Sequence, residues 1–359
     1  MAGFVGCRDQ PTGFDEVLDR ILVDLGISEL HRFGSGRGAE EVLTRSPINP
    51  AVHCPSFYDR AQNPDAELFR RILADSSAQI HLYLTDGVQS DLTATQSPSV
   101  NALRDWLETG RPLGVLAFRS RFAGRGWSEA RKSWVGRWEV RDRPFYLYVF
   151  APTDALLERT LSRLSSDVRG QARVMRFGDG GLRCTGAAAA IPRQASNDQG
   201  TPWLMVSATT TDKLVRQLMP MVEVTCSVRE DLPLSGMRFV VDSVRYGRWT
   251  GSQFDYPLEP PQGLSFSDTV SAEPGGFRSS LRVRLAPDPA TRFGYFALQL
   301  IPGRAELDPA VVGLSTNSDA DVSSASRTYR FGWVVEQLLR TQVERSVPHV
   351  PFSFTVTYQ

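Results

Sequence analysis

The chain has 359 residues, a length that predicts two or three domains, or one domain with a large addition. Hydrophobic residues make up 41% and charged residues 22%, enough apolar side chains for packed cores and too many for a disordered chain. Lys and Arg number 40, Asp and Glu number 40, and the net charge of +0 supplies no global field toward nucleic acid or an anionic membrane. No run of about 18 apolar residues marks a transmembrane helix. The start, Met1 to Gly6, lacks the basic-then-apolar pattern of a signal peptide. Cys7, Cys54, Cys184 and Cys226 are scattered and form no C-x-x-C pair. Reduced thiols in a cytoplasmic protein, without a zinc site, are the simplest expectation.

Taken in chain order, Phe14, Val17, Leu18, Ile21, Leu22 and Leu25 recur at helical spacing, and Gly26 ends the run. Leu30 to Phe33 reads as a short strand before the Gly-rich loop Gly34 to Gly38. Asp65 is placed to cap a second helix carrying Leu68, Phe69, Ile72 and Leu73. Ile80 to Thr85 is an apolar strand that ends in the turn Asp86-Gly87. Ser97-Pro98 opens a third helix with Leu103, Trp106 and Leu107 on one face and Gly110 as its stop. Leu113 to Phe118 and Phe145 to Phe150 are further strands, and a helix follows from Asp154 to Leu164. Strands alternating with helices predict a mostly parallel sheet covered on both faces.

Between those two strands lies an apparent insertion, Arg119 to Arg143. It holds Trp127, Trp134 and Trp138 with eight Lys/Arg against three Asp/Glu, and its pattern fits a β-hairpin. Trp127, Arg131, Lys132, Trp134, Arg137 and Trp138 are its candidate interaction residues. Interleaved aromatic and basic residues suit nucleic acid. The plainer alternative packs the Trp residues on the domain and leaves the Arg residues solvated, and chain neutrality favours it.

The character changes after about Leu164. Residues 166–202 are expected to be a linker or loop region, with Gly178 to Pro202 rich in Gly, Ala, Ser and Asn. Strand-like runs follow at Leu204 to Ala208, Val222 to Val228, Met237 to Val244, Leu281 to Leu285 and Tyr295 to Ile301. They predict a β-sandwich-like domain over 203–359. Its late helix is expected at about 329–343 and its closing strand at Val350 to Tyr358.

The start Met1-Ala2-Gly3-Phe4-Val5-Gly6, the Leu84-Thr85-Asp86-Gly87 turn and the order of elements between them resemble a von Willebrand factor A domain over roughly residues 1–165. That resemblance implies a Rossmann-like α/β fold whose first strand, with its D-x-S-x-S metal motif, lies upstream of Met1. It matches the third-loop Asp of the family to Asp86, with Asn63 nearest to the second-loop position. Those two are an incomplete metal site, since a hard cation such as Mg²⁺ needs more oxygen ligands. No cofactor is therefore expected in this chain, and Mg²⁺ only if an upstream D-x-S-x-S exists. The family implies protein docking, in a bacterial multi-protein assembly beside an ATPase.

Enzyme signatures are sparse. No G-x-x-x-x-G-K-[ST], H-E-x-x-H or G-x-S-x-G occurs. Adjacent His53-Cys54 side chains diverge in an extended segment. His81 reads as a hydrogen-bonded structural residue, and Asp319 and Asp321 as members of a solvated Ser/Asn/Asp loop. The leading expectation is a non-enzymatic protein-interaction or scaffold protein, with no membrane partner. The alternatives are an enzyme with its site in the C-terminal half and a nucleic-acid binder acting through residues 119–143.

Overall fold

The computed structural model describes residues 4–5, 11–27, 29–32, 41–44, 52, 65–87, 97–128, 130–131, 133–189, 194–196, 202–208, 221–249, 251–260, 264–284, 293–319, 325–347 and 350–358. In chain order the elements are α1 (Gly13–Asp24), β1 (Glu29–Arg32), β2 (Glu41–Thr44), α2 (Asp65–Ala74), β3 (His81–Thr85), α3 (Pro98–Glu108), β4 (Leu113–Ser128) and β5 (Ser133–Phe150). There follow α4 (Asp154–Arg163), α5 (Ser166–Gln171), β6 (Arg173–Phe177), β7 (Leu182–Ala189), β8 (Gln194–Ser196), β9 (Pro202–Ala208), β10 (Met221–Val228) and β11 (Leu234–Trp249). The last are β12 (Phe254–Leu258), β13 (Ser265–Glu273), β14 (Gly276–Arg284), β15 (Phe293–Leu307), α6 (Pro309–Val312), β16 (Ser315–Thr316), β17 (Thr328–Tyr329), α7 (Phe331–Ser346) and β18 (Val350–Tyr358).

These elements form two compact units. Unit 1 holds Met1–Gly181, Asp231–Pro233 and Leu307–Gln342. Unit 2 holds Leu182–Glu230, Leu234–Glu306 and Val343–Gln359.

The helices of unit 1 begin and end where local chemistry directs. Thr12 caps α1 through a reciprocal pair: its hydroxyl accepts from Asp15 N–H, and its own N–H donates to Asp15 Oδ2 at 2.9 Å. Ser97 caps α3, with Pro98 at the first helical position, where the missing N–H costs nothing. Gly110 follows α3 at φ 84°, a left-handed conformation that a Cβ would strain. The expected cap at Asp65 is instead the first helical residue of α2. It is buried and accepts a hydrogen bond from the Tyr83 hydroxyl.

The expected parallel, von Willebrand A-type sheet is overturned. The sheet of unit 1 has the order β3-β5-β4-β6, and all three pairings are antiparallel. The reason lies between β4 and β5. What looked like an insertion between parallel neighbours is the outward continuation of both strands. Leu113 pairs with Phe150, Phe118 with Phe145 and, at the far end, Ser128 with Ser133. A hairpin can join only antiparallel neighbours. The Ile80 to Thr85 strand was expected inside the sheet, but β3 is an edge strand. The first strand that the resemblance places upstream of Met1 has no vacant place at the centre of this sheet, since β4 and β5 are each paired on both sides.

Strand periodicity divides the core of unit 1 into two layers. Phe145, Leu147 and Val149 of β5 and Leu116 and Phe118 of β4 pack with Phe14, Val17, Leu18 and Ile21 of α1 and with Leu157 and Leu161 of α4. The alternate residues of β5 face the other helices. Phe69 of α2 and Trp106 of α3 meet Phe150 at 5.4 Å and 5.2 Å, and Phe331 of α7 stacks on Tyr146 at 4.3 Å.

Unit 2 contains a four-stranded sheet, β13-β14-β10-β7, and a six-stranded sheet, β12-β11-β15-β18-β9-β8. Pairing is antiparallel where β7, β10, β13 and β14 meet and parallel between β18 and β9. The strand runs expected after residue 203 fall on β9, β10, β11, β14, β15 and β18, with Leu285 outside the described residues. Residues 166–202, expected as a linker, hold α5 and three further strands, β6 to β8. Cys184 and Cys226 sit directly opposite one another on β7 and β10 and form a disulfide, correcting the expectation of reduced thiols throughout.

Candidate functional site: a tryptophan hairpin over a buried arginine

Beyond Phe118 and Phe145 the hairpin carries the residues singled out by the sequence, and it separates them. Trp127 and Trp134 are cross-strand partners, with ring centroids 5.3 Å apart at 78°, the favoured edge-to-face geometry. The Arg125 guanidinium lies 4.6 Å from the centroid of Trp134, whose ring is 50% exposed. Trp138 has the opposite fate and is 2% exposed in the core. A Cβ at Gly126 would lie 2.2 Å from Trp138 Cε2, so only glycine allows the facing strand this close. The register shifts between Ser120 and Phe122 and between Gly126 and Trp127, bulges that re-aim side chains along the hairpin. The side chains of Arg131 and Arg137 are exposed, while Lys132 lies outside the described residues.

Arg143 is the residue that sequence reasoning missed. It counted only as one of eight cations, yet it is 7% exposed. Its guanidinium lies 4.7 Å from the Phe122 ring centroid and 5.0 Å from that of Trp138. Burial pulls it below the usual arginine range, and the nearby charges of Asp86 and Asp319 oppose that shift. Its Nε and Nη1 are buried without a hydrogen-bond partner among the described residues, and so is Trp127 Nε1. Arg143 and Trp127 line a small cleft with Trp138, Asp319, Arg327 and Thr328.

Asp319, Ala325, Arg327, Thr328 and Tyr329 line the cleft together with the hairpin residues. Asp319, expected in a solvated loop, is instead buried. Its Oδ1 accepts from Ser128 Oγ at 2.8 Å and from Ala130 N–H at 3.3 Å, which ties Asp319 to the end of β4. Tyr146 donates its hydroxyl to Thr328 Oγ1 at 2.8 Å, and burial raises its pKa above the usual phenol range.

Of the two proposed metal residues, Asp86 is the one the structure describes. Asp86 directly follows β3, where its charge acts on Arg143, Tyr146 and Tyr83. Asn63 lies outside the described residues, as do Gly34 to Gly38, His53-Cys54 and Asp321. Among the described residues no three His, Cys, Asp or Glu side chains converge on a point that could hold a metal. His81 Nε2 lies 2.9 Å from Asp75 Oδ2. Among the described residues no helix is long and apolar enough to cross a membrane.

No protein-family model matches the chain, and no curated protein resembles it significantly. The functional reading therefore rests on the hairpin and its cleft.

Proposed function

We propose that the protein is a non-catalytic interaction protein that docks an acidic segment of a partner protein on the tip of the β4–β5 hairpin. The observation that supports this reading best is Trp134. It is a large ring, half exposed, held in place by Trp127 at its edge and Arg125 over its face. Ordering such a platform in advance lowers the entropy cost of binding. Trp and Arg are also the residues on which protein interfaces concentrate their energy. The hairpin's excess of eight cations over three anions selects an acidic partner. The disulfide of unit 2 favours an oxidising compartment over the cytoplasm first expected.

The test is fluorescence anisotropy with acidic and charge-reversed peptides. Acidic peptides should bind in preference to basic ones, and Trp134→Ala should weaken them about tenfold, roughly 1.4 kcal/mol. Binding that ignores both peptide charge and Trp134→Ala would defeat the proposal. An oligothymidylate supplies the nucleic-acid arm. Replacing Arg131, Lys132 and Arg137 with Glu should leave its already weak binding unchanged. Tight, steeply salt-dependent binding lost in that triple variant would transfer the function to nucleic acid.

A further inference from the structure

We infer that the cleft beneath the hairpin is a carboxylate-binding pocket, and that an Asp or Glu side chain of the docked partner enters it. In naming the partner's anchor this inference rests on the docking reading above. The pocket itself rests on separate observations.

The first observation is the donors. Arg143 Nε, Arg143 Nη1 and Trp127 Nε1 are buried N–H groups without partners among the described residues, and all belong to residues lining one cleft. A buried donor without an acceptor is destabilising, more so on a charged group. Arginine stays protonated in proteins, so Arg143 cannot escape that cost by losing its proton. An acceptor supplied from outside relieves it at all three N–H groups.

The second is the surrounding chemistry. The Arg143 guanidinium is held against the Phe122 and Trp138 rings, which offer it no hydrogen-bond acceptor. Asp319 also lines the cleft, but its Oδ1 already accepts from Ser128 Oγ and Ala130 N–H. Asp86 and Asp319 moderate the charge of Arg143 without accepting from its Nε or Nη1. Arg327 and Thr328 add donor-bearing side chains to the lining. The cleft has room for about one water-sized group, which excludes a nucleotide and admits only the tip of one side chain.

The third is connection. Trp127 both lines the cleft and meets the Trp134 ring edge to face. A segment lying on Trp134 can therefore lower one acidic side chain into the pocket.

The experiment titrates the full chain with sodium formate against sodium chloride at equal ionic strength, reading tryptophan fluorescence. Formate should give a saturable change that chloride does not. Trp127→Phe keeps an aromatic ring beside Trp134 and removes the N–H, so it should raise the formate Kd three- to tenfold with the fold retained by melting temperature. Arg143→Gln should abolish saturation; because that residue is buried, Trp127→Phe is the decisive variant. Identical formate and chloride responses would overturn the pocket, as would an unchanged Kd in Trp127→Phe. Formate binding that depends on Trp127, in a protein that ignores acidic peptides, would keep the pocket and remove the docking reading. Peptide binding that needs Trp134 while formate has no effect would keep docking and remove the pocket.

Discussion

Trp138→Ala should destabilise the protein by about 4 kcal/mol, within the range for truncating a large buried aromatic ring. The ring is 2% exposed, presses on Gly126 and carries the Arg143 guanidinium 5.0 Å from its centroid. Removing it opens a cavity and takes away one of the two aromatic faces against which a buried cation rests. Trp134→Ala, four residues along the same strand, should shift stability by no more than about 0.5 kcal/mol, as befits a half-exposed side chain. Urea melts of the two variants make the comparison. Similar shifts in both would show that the hairpin does not divide its tryptophans between core and surface, and the docking reading would lose its basis.

Breaking the Cys184–Cys226 disulfide should cost unit 2 about 4 kcal/mol on the chain-entropy model. The cysteines are 42 residues apart in sequence, and the cross-link restrains a loop of that size in the unfolded chain. Cys226 is 1% exposed within its strand, so replacing both cysteines with alanine is a cleaner test than introducing serine there. Hydrogen exchange of the β10 and β14 amides reads the loss locally and avoids assuming one cooperative transition for a two-unit chain. Protection that is equal in the oxidised protein and the double variant would contradict the prediction. Four free thiols in protein unfolded without reductant would contradict the disulfide itself.

Much of the local structure was legible because its causes are local. Ser97-Pro98, Gly26 and Gly110 satisfy or release backbone groups within a few residues of themselves, so the end of α1 and both ends of α3 could be read from the sequence. The apolar runs from Leu204 to Ile301 were strands for a similar reason, since alternation shows that a segment has one buried face. The Trp-rich stretch could be read as a hairpin, and its basic excess could be counted.

Pairing was decided by tertiary structure. An apolar run does not record whether its neighbour runs parallel or antiparallel, because direction depends on how the intervening chain returns. Here the strands β4 and β5 extend past the layer covered by helices, and their outer residues trade apolar character for Arg and Gly, as an insertion would. The six residues proposed for the surface illustrate the same limit. Trp134 and Trp138 are chemically identical and four apart, yet one is exposed and the other is core. Arg143 is indistinguishable by type from Arg131 or Arg137, but it lies against aromatic rings and shares a cleft with Asp319, 176 residues away in sequence. Residue type determines what a side chain can do, whereas burial and unmet hydrogen bonds depend on groups brought together only when distant segments pack.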